Sequence, residues 1–427
     1  MFKPGILILF VLSVILSCTN VLRNSKKTEL LAKHYVIIGC SAAGYHAAEE
    51  LTRLDQDARI TCISNETSYP YKKTSLKSYI SGTKSEERLL LKKSSLESRV
   101  NYLLDTHVIG LNRQLRTVTL GNGDIINYDK LLIATGAAPY VPINRELTLV
   151  YNSKKDVDTI LALINKRKNP KALIVGAGIR SLELAHALKQ HNAGLKLMLL
   201  NRSAHFLGNS GDEKMDELIK KSLRAHKVEF LAPLNIQKIT RTSQGLLALL
   251  DNQKSIAVDL IIFALGTIPN SELAQKAGLE LYDNLALKVD AELKTSDPNI
   301  FAAGDVTGFK NPLSPGDIRS NKWRDAKTQG IIAAQNMTGE HRRYEHKNSV
   351  HISSFFGLKI LISGDVRSRP KESSLIRSGR HFYYRFIVQD KRLKAFALLW
   401  QNTQKSPPIF RLKKKLIEQS PVELEEL

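Results

Sequence analysis

The stretch HYVIIGCSAAGYHAAEE, His34 to Glu50, decides how the chain is read. An apolar run, Tyr35 to Ile38, ends in a small-residue loop and passes into a helix-like pattern. A strand that feeds a glycine turn and then a helix is how backbones approach a pyrophosphate, whose charge rests on the helix N-terminus. The G-x-G-x-x-G spacing keeps Gly39 and Gly44, but Ser41 replaces the middle glycine, with Ala42 and Ala43 behind it. Gly39 is expected to make the tight turn and Gly44 to let the helix pack on the strand. Ser41 is small enough to allow near approach, and its hydroxyl can donate to a phosphate. Glu66 stands 22 residues after Gly44, where a carboxylate would bond a ribose hydroxyl.

Outward from this unit the alternation continues. ARITCIS (58–64) reads as the next strand, and RTVTLGNGDIINYDKLLIATGAAP (116–139) as a hairpin turning at GNG followed by a buried strand. A second alternation opens at KALIVGAGIRSLELAHALKQ (171–190), with a further strand at LKLMLLN. Its loop keeps Gly176 and Gly178 and has Ser181 at the third glycine. The next strand ends in Asn201-Arg202 rather than an acid, so a 2′-phosphate is not repelled and Arg202 could attract it. NADH and NADPH both stay open on this reading. DLIIFALGTIPN (259–270) reads as a return strand and NIFAAGDV (299–306) as another, while short aromatic strands such as HFYYRFIVQD follow Gly339.

The chain has 427 residues, 43% of them hydrophobic, enough for two or three packed domains. Lys and Arg number 63 against 41 Asp and Glu, a net +22. Such a charge suits acidic partners, but it is dispersed apart from RLKKKL (411–416), and no nucleic-acid-binding signature accompanies it, so no nucleic acid is expected. The cysteines, Cys18, Cys40 and Cys62, form neither a CxxC nor a metal spacing. His341, His346 and His351 recur every five residues, which suits no shared ligation, and no metal is expected. GILILFVLSVILS (5–17) precedes Cys18 and is short for a bilayer span of roughly 20 residues. It reads as a signal segment with a lipoprotein box at Cys18, or as an anchor. Arg23, Lys26, Lys27 and Lys33 behind it would hold the body in the cytoplasm at the inner membrane face.

Two dinucleotide loops in one chain imply a flavin cofactor and a nicotinamide substrate facing each other. ATGAAP (134–139), LGTIPN (265–270) and TSDPNIFAAGDV (295–306), in this order, make the chain resemble the pyridine-nucleotide-disulfide oxidoreductase superfamily from about Tyr35 to Gly339. The resemblance implies an α/β fold with two Rossmann-like dinucleotide-binding domains and a C-terminal α+β interface domain. The segments would be 1–28 (signal or anchor), 34–150 and 268–339 (FAD domain), 151–267 (NAD(P) domain) and 340–427 (interface, for which a homodimer is one arrangement). It places FAD on Ala134, Thr135, Gly136, Gly304 and Asp305, and chain crossings at Gly136 and Gly266. Glu183 matches the family's acidic residue on the nicotinamide side.

No cysteine lies between Thr67 and Arg99, where disulfide reductases carry theirs. Instead SNETSYPYKKTSLKSYISG (64–82) is similar to the flavin segment of rubredoxin, ferredoxin and nitrite reductases. Lys73 takes its basic position, to stabilise anionic reduced flavin, but Thr74 and Ser78 depart from it. WRDAKTQGIIAAQNMTG (323–339) matches the same branch, with Ala326 in a helix whose N-terminus faces the flavin. The implied activity is an FAD-dependent NAD(P)H oxidoreductase that passes electrons to an acidic rubredoxin- or ferredoxin-like carrier. Two rivals are an NAD(P)H oxidase or quinone reductase at the membrane, and a flavin-binding sensor or scaffold without turnover.

Overall fold

The structure is a computed structural model that describes residues 32–91, 99–209, 212–310, 317–319, 322–345, 350–364, 366, 373–402 and 412. The apolar segment 5–17, Cys18, His346 and all of RLKKKL except Leu412 lie outside the described residues. In chain order, strand β1 (His34–Ile38) leads into helix α1 (Ala42–Leu54) and β2 (Arg59–Ile63). Short helix α2 (Leu76–Ile80), β3 (Val100–Leu103) and β4 (Lys130–Ile133) follow. The second alternation is β5 (Lys171–Val175), α3 (Ile179–His191), β6 (Lys196–Leu200), α4 (Glu213–Ala225), β7 (Val228–Leu231) and β8 (Leu260–Phe263). Then come β9 (Ile300–Ala302), α5 (Trp323–Met337) and the strands β10 (His351–Phe355), β11 (Leu358–Ser363), β12 (Ser373–Gly379), β13 (Phe382–Gln389) and β14 (Arg392–Gln401).

The chain divides into two compact units, residues 1–70, 92–136 and 269–344 in one, and 71–91, 137–268 and 345–427 in the other. The first contains a parallel sheet in the order β9-β4-β1-β2-β3. Every residue of Tyr35–Ile38 is buried, because a strand between two parallel neighbours is covered on both faces. The core on one face joins Tyr35, Ile37, Ala47 and Leu51 to Phe301, Ala333 and Ala334. Helices α1 and α5 therefore lie on the same side of that sheet. The GNG hairpin is present, in an antiparallel sheet formed by Val108–Asn112, Thr117–Leu120 and Ile125–Asn127.

The second unit repeats the plan. Its parallel sheet runs β7-β6-β5-β8, extended by Leu149–Val150, and Ile236–Val258 supplies the corresponding antiparallel three-stranded sheet before the return strand. The two strand–glycine–helix patterns of the sequence thus belong to a repeated topology.

Two boundaries differ from the sequence reading. Residues 71–91 follow the first βαβ unit in sequence, yet Tyr71, Leu76, Ile80 and Leu89 are buried in the core of the second unit. The C-terminal module is an antiparallel sheet ordered β10-β11-β14-β13-β12, and Phe355, Phe356, Leu358, Ile360, Tyr383 and Leu399 enter the same core as α3 and α4. The sheet's face is apolar and needs a partner, and α3 supplies it.

Candidate active site

In the first unit, Gly39 has φ +103°, a left-handed value that a side chain resists, and a Cβ there would stand 2.2 Å from the Ala134 carbonyl oxygen. At Gly44 a Cβ would stand 1.8 Å from the Gly39 carbonyl oxygen. These two glycines therefore let β1, the loop and α1 close on one another. Ser41 is the N-cap residue of α1 but makes no side-chain capping bond. At the matching position of the second loop, Gly178, a Cβ would meet nothing within 4 Å. The middle position opens onto space, which is why serine is accommodated in the first loop. Glu66 is half-buried three residues past β2, and its amide donates to Ser64 Oγ at 3.1 Å.

The Gly304-Asp305 turn follows β9 and sits against both helices. A Cβ on Gly304 would lie 3.3 Å from Ala43 Cβ, at the start of α1, and 3.6 Å from Ala326 Cβ, in the first turn of α5. The Gly304 amide donates to the fully buried Gln329 Oε1 at 2.7 Å, and Thr307 Oγ1 donates to the Gly304 carbonyl at 2.8 Å. Asp305 is half-buried in the same turn. Two helix N-termini and a backbone turn stripped of side chain make a cradle that fits a bound dinucleotide such as FAD. Beside it, Thr135 Oγ1 donates to the Asn270 carbonyl (2.8 Å) and Asn270 Nδ2 donates to the Thr135 carbonyl (2.9 Å). This exchange pins together the two segments where the chain leaves and re-enters the unit. Gly136 and Gly266 both have positive φ at these crossings.

In the second unit, Gly176 has φ +122°, and a Cβ there would lie 2.7 Å from the Ala264 carbonyl oxygen. Ser181 lies inside the second unit. It is fully buried, and its hydroxyl donates to the Ala264 carbonyl at 3.3 Å. This is a packing role: α3 lies close enough on β8 for a small polar side chain to be satisfied there. A cavity of about 360 Å³ opens at this loop, lined by Gly178, Ile179, Arg180, Tyr151, Ala264 and Gly266 among others. Arg180 Nη2 donates to the Tyr151 carbonyl at 2.8 Å, and the guanidinium stands 5.5 Å from the centre of the Tyr151 ring. Arg202 is exposed just beyond β6.

Glu183 is where the sequence reading gains most. Lys77 Nζ donates to Glu183 Oε1 at 2.5 Å, and Ser353 Oγ donates to the same oxygen. The lysine comes from α2, the acid from α3 and the buried serine from β10. Lys73, the basic residue singled out by pattern, opens the turn before α2 and is half-buried. The departure noted at Ser78 is answered one residue earlier, since Lys77 rather than residue 78 reaches the acid. Tyr151 carried no sequence signal; Lys77 and Arg180 lay inside stretches already singled out.

Cys40 and Cys62 are both buried free thiols, and burial, followed by the neighbouring Cys40 thiol, pushes the Cys62 thiol up. His341 meets Glu292 at 3.2 Å in the first unit, whereas His351 begins β10 in the second. Among the described residues no helix is long and apolar enough to cross a membrane.

The sequence matches the family described as pyridine nucleotide-disulphide oxidoreductase over residues 33–336, more than two thirds of the chain. The chain belongs to that family. It is 30% identical over 311 residues to the nitric oxide reductase FlRd-NAD(+) reductase of Escherichia coli O157:H7, covering 72% of this chain and 79% of that one. It is 29% identical over 321 residues to an NADH oxidase of Methanocaldococcus jannaschii, covering 72% and 71%. The putidaredoxin reductase in a covalent complex with putidaredoxin superposes with a TM-score of 0.81 at 22% identity, over 92% of this chain and 95% of that one. This pyridine nucleotide-disulphide oxidoreductase is therefore an FAD-dependent NAD(P)H oxidoreductase, and its α/β fold is that of its relatives. Both of its described cysteines are free thiols, Cys40 and Cys62.

Proposed function

We propose that this oxidoreductase takes reducing equivalents from NAD(P)H and delivers them to an acidic ferredoxin- or rubredoxin-like carrier. The observation that supports the reading best is the cradle at Gly39, Gly44 and Gly304, together with a second glycine loop at Gly176 and an acid, Glu183, held by two donors. FAD, when bound, would supply the redox chemistry that links the two-electron nicotinamide to a one-electron acceptor. The residues bind and orient. Gly39 and Gly304 leave room for backbone contact with the pyrophosphate, and the starts of α1 and α5 favour its charge. Lys77 and Ser353 both donate to Oε1 of Glu183, which fixes the carboxylate that the family pattern assigns to the nicotinamide side. Lys73 remains the basic residue assigned to the reduced flavin.

A carrier is favoured over other acceptors by the relatives, which are named as reductases of protein carriers. The net +22 would speed capture of an acidic partner, at a rate that falls as salt screens it. A second reading, oxygen or quinone as acceptor, draws on the Methanocaldococcus jannaschii relative. Stopped-flow reoxidation of the NAD(P)H-reduced protein by ferredoxin, rubredoxin, oxygen and quinone tests both. The carrier reading requires a carrier to be much the fastest, and it fails if oxygen or quinone is. A protein that stays yellow when mixed anaerobically with NADH and NADPH would instead be the sensor or scaffold. Residues 5–17 are assigned as a membrane tether with the body on the cytoplasmic face. Digestion of the body by external protease on intact cells would reject that placement.

A further inference from the structure

We infer that the second unit is built to take the 2′-phosphorylated nucleotide, NADPH, and that Arg202 is the residue that selects it. This rests on the reading of that unit as the nicotinamide-nucleotide domain. In a dinucleotide fold the residue at the end of the second strand meets the adenosine ribose. A carboxylate there bonds the 2′-hydroxyl and repels a 2′-phosphate, while a cation does the reverse.

Here that strand is β6, and the residue after it is Asn201. Its side-chain amide donates to the carbonyls of Ser203 (2.8 Å) and His205 (3.0 Å). Both partners are acceptors, so an ionised aspartate, which only accepts, could not hold this loop. With this neutral double donor in place, the position carries no charge to repel a 2′-phosphate.

The loop is pinned elsewhere too. At its start the Leu200 carbonyl accepts the Gly176 amide at 2.7 Å, and at its end the Leu207 amide donates to the Ala177 carbonyl at 3.0 Å. Both ends are therefore tied to the glycine loop. Buried Asp216 accepts from the Phe206 amide (3.0 Å) and holds His205 Nδ1 (2.6 Å). Asp212, which caps the N-terminus of α4, accepts from the amides of Lys214 and Met215 and from the Tyr383 hydroxyl. Arg202 projects from this fixed loop, exposed, and among the described residues its side chain makes no hydrogen bond or ion pair. A cation without a protein counter-ion, held at the ribose end of the fold, is a ready partner for a phosphate dianion.

The test is calorimetric titration of the full-length, flavin-loaded protein with 2′,5′-ADP and with 5′-AMP, which differ only in the 2′-phosphate. The wild type is expected to bind 2′,5′-ADP about tenfold tighter or more, the scale of one charge-assisted contact, and the margin should shrink with added salt. Arg202→Ala should lose the margin while keeping its affinity for 5′-AMP, and Arg202→Glu should reverse it. Arg202→Lys should keep part of the margin. Because Arg202 is exposed, none of these changes threatens folding. If 5′-AMP binds and 2′,5′-ADP binds no tighter, the inference is overturned and the domain assignment stands. A margin that survives in Arg202→Ala would trace to the general positive charge and also overturn it. If neither nucleotide binds, the domain assignment itself falls, and this inference with it.

Discussion

Gly330 in α5 is the sharpest mechanical test of the flavin cradle. A Cβ added there would stand 2.1 Å from the Ala43 carbonyl oxygen and 2.9 Å from its carbon. A carbon–oxygen contact needs about 3.3 Å, so Gly330→Ala must part α1 from α5 by about 1 Å. The obstacle is backbone, which cannot rotate away as a side chain would, placing the cost near the top of the usual overpacking range, about 3 kcal/mol. Alanine returns about 1 kcal/mol through its better helix propensity. The expected net loss is about 2 kcal/mol, or a melting temperature lower by about 4–8 °C. The same displacement draws Ala43 and Ala326 away from Gly304, so flavin retention should fall together with stability. Thermal unfolding followed by flavin fluorescence, with the flavin-to-protein absorbance ratio after gel filtration, measures both. A variant that melts within about 1 °C of wild type and keeps its full flavin content would show that the α1–α5 contact does not set the cradle.

Ser353→Ala removes one of the two donors to Glu183 Oε1. Anaerobic stopped-flow should show flavin reduction slowed by about tenfold at unchanged flavin content, the scale of one hydrogen bond to a charged group. Thr135→Val deletes the bond to the Asn270 carbonyl and should cost about 0.5–1 kcal/mol by denaturant unfolding; Asn270→Ala deletes only the return bond, leaving the Thr135 hydroxyl its backbone acceptor, and should cost about as much. His34 and His186 have pKa values lowered from 6.5, in both cases chiefly by burial. Their native state favours the neutral ring while the unfolded chain takes up the proton first. Their contribution is therefore complete above about pH 6.5 and is lost as pH falls through that value toward the lowered ones. Melting at about pH 5.5 should be lower than at about pH 7.5, and His186→Phe should weaken the dependence; an unchanged melting temperature would contradict it.

Much of the framework was legible because it is local. The period of the apolar residues and the glycine spacing placed α1 and β5, and they also placed the turns at Gly39, Gly176 and Gly304. Family resemblance added the acid at 183. What stayed hidden depends on residues far apart in sequence. Lys77 and Glu183 are 106 positions apart, and Ser353 is 170 beyond Glu183. The sequence pattern assigned Lys73 to the reduced flavin and gave no partner for Lys77, whose acceptor lies in α3. Ser181 shows the opposite limit. Its place in the motif is the third glycine's, and close helix–strand packing gives its hydroxyl an inward acceptor at the Ala264 carbonyl.

From its sequence alone this protein was determined to be a duplicated strand–glycine–helix chain able to hold two dinucleotides, since backbone freedom at glycine and the alternation of apolar residues are properties of short segments. Only the tertiary structure decided that residues 71–91 and the C-terminal sheet share a core with the second unit, that Lys77 and Ser353 converge on Glu183, and that Asn201 is held as a double donor. Those outcomes depend on which surfaces need burial and which polar atoms need partners once the chain is packed. No local stretch carries that information.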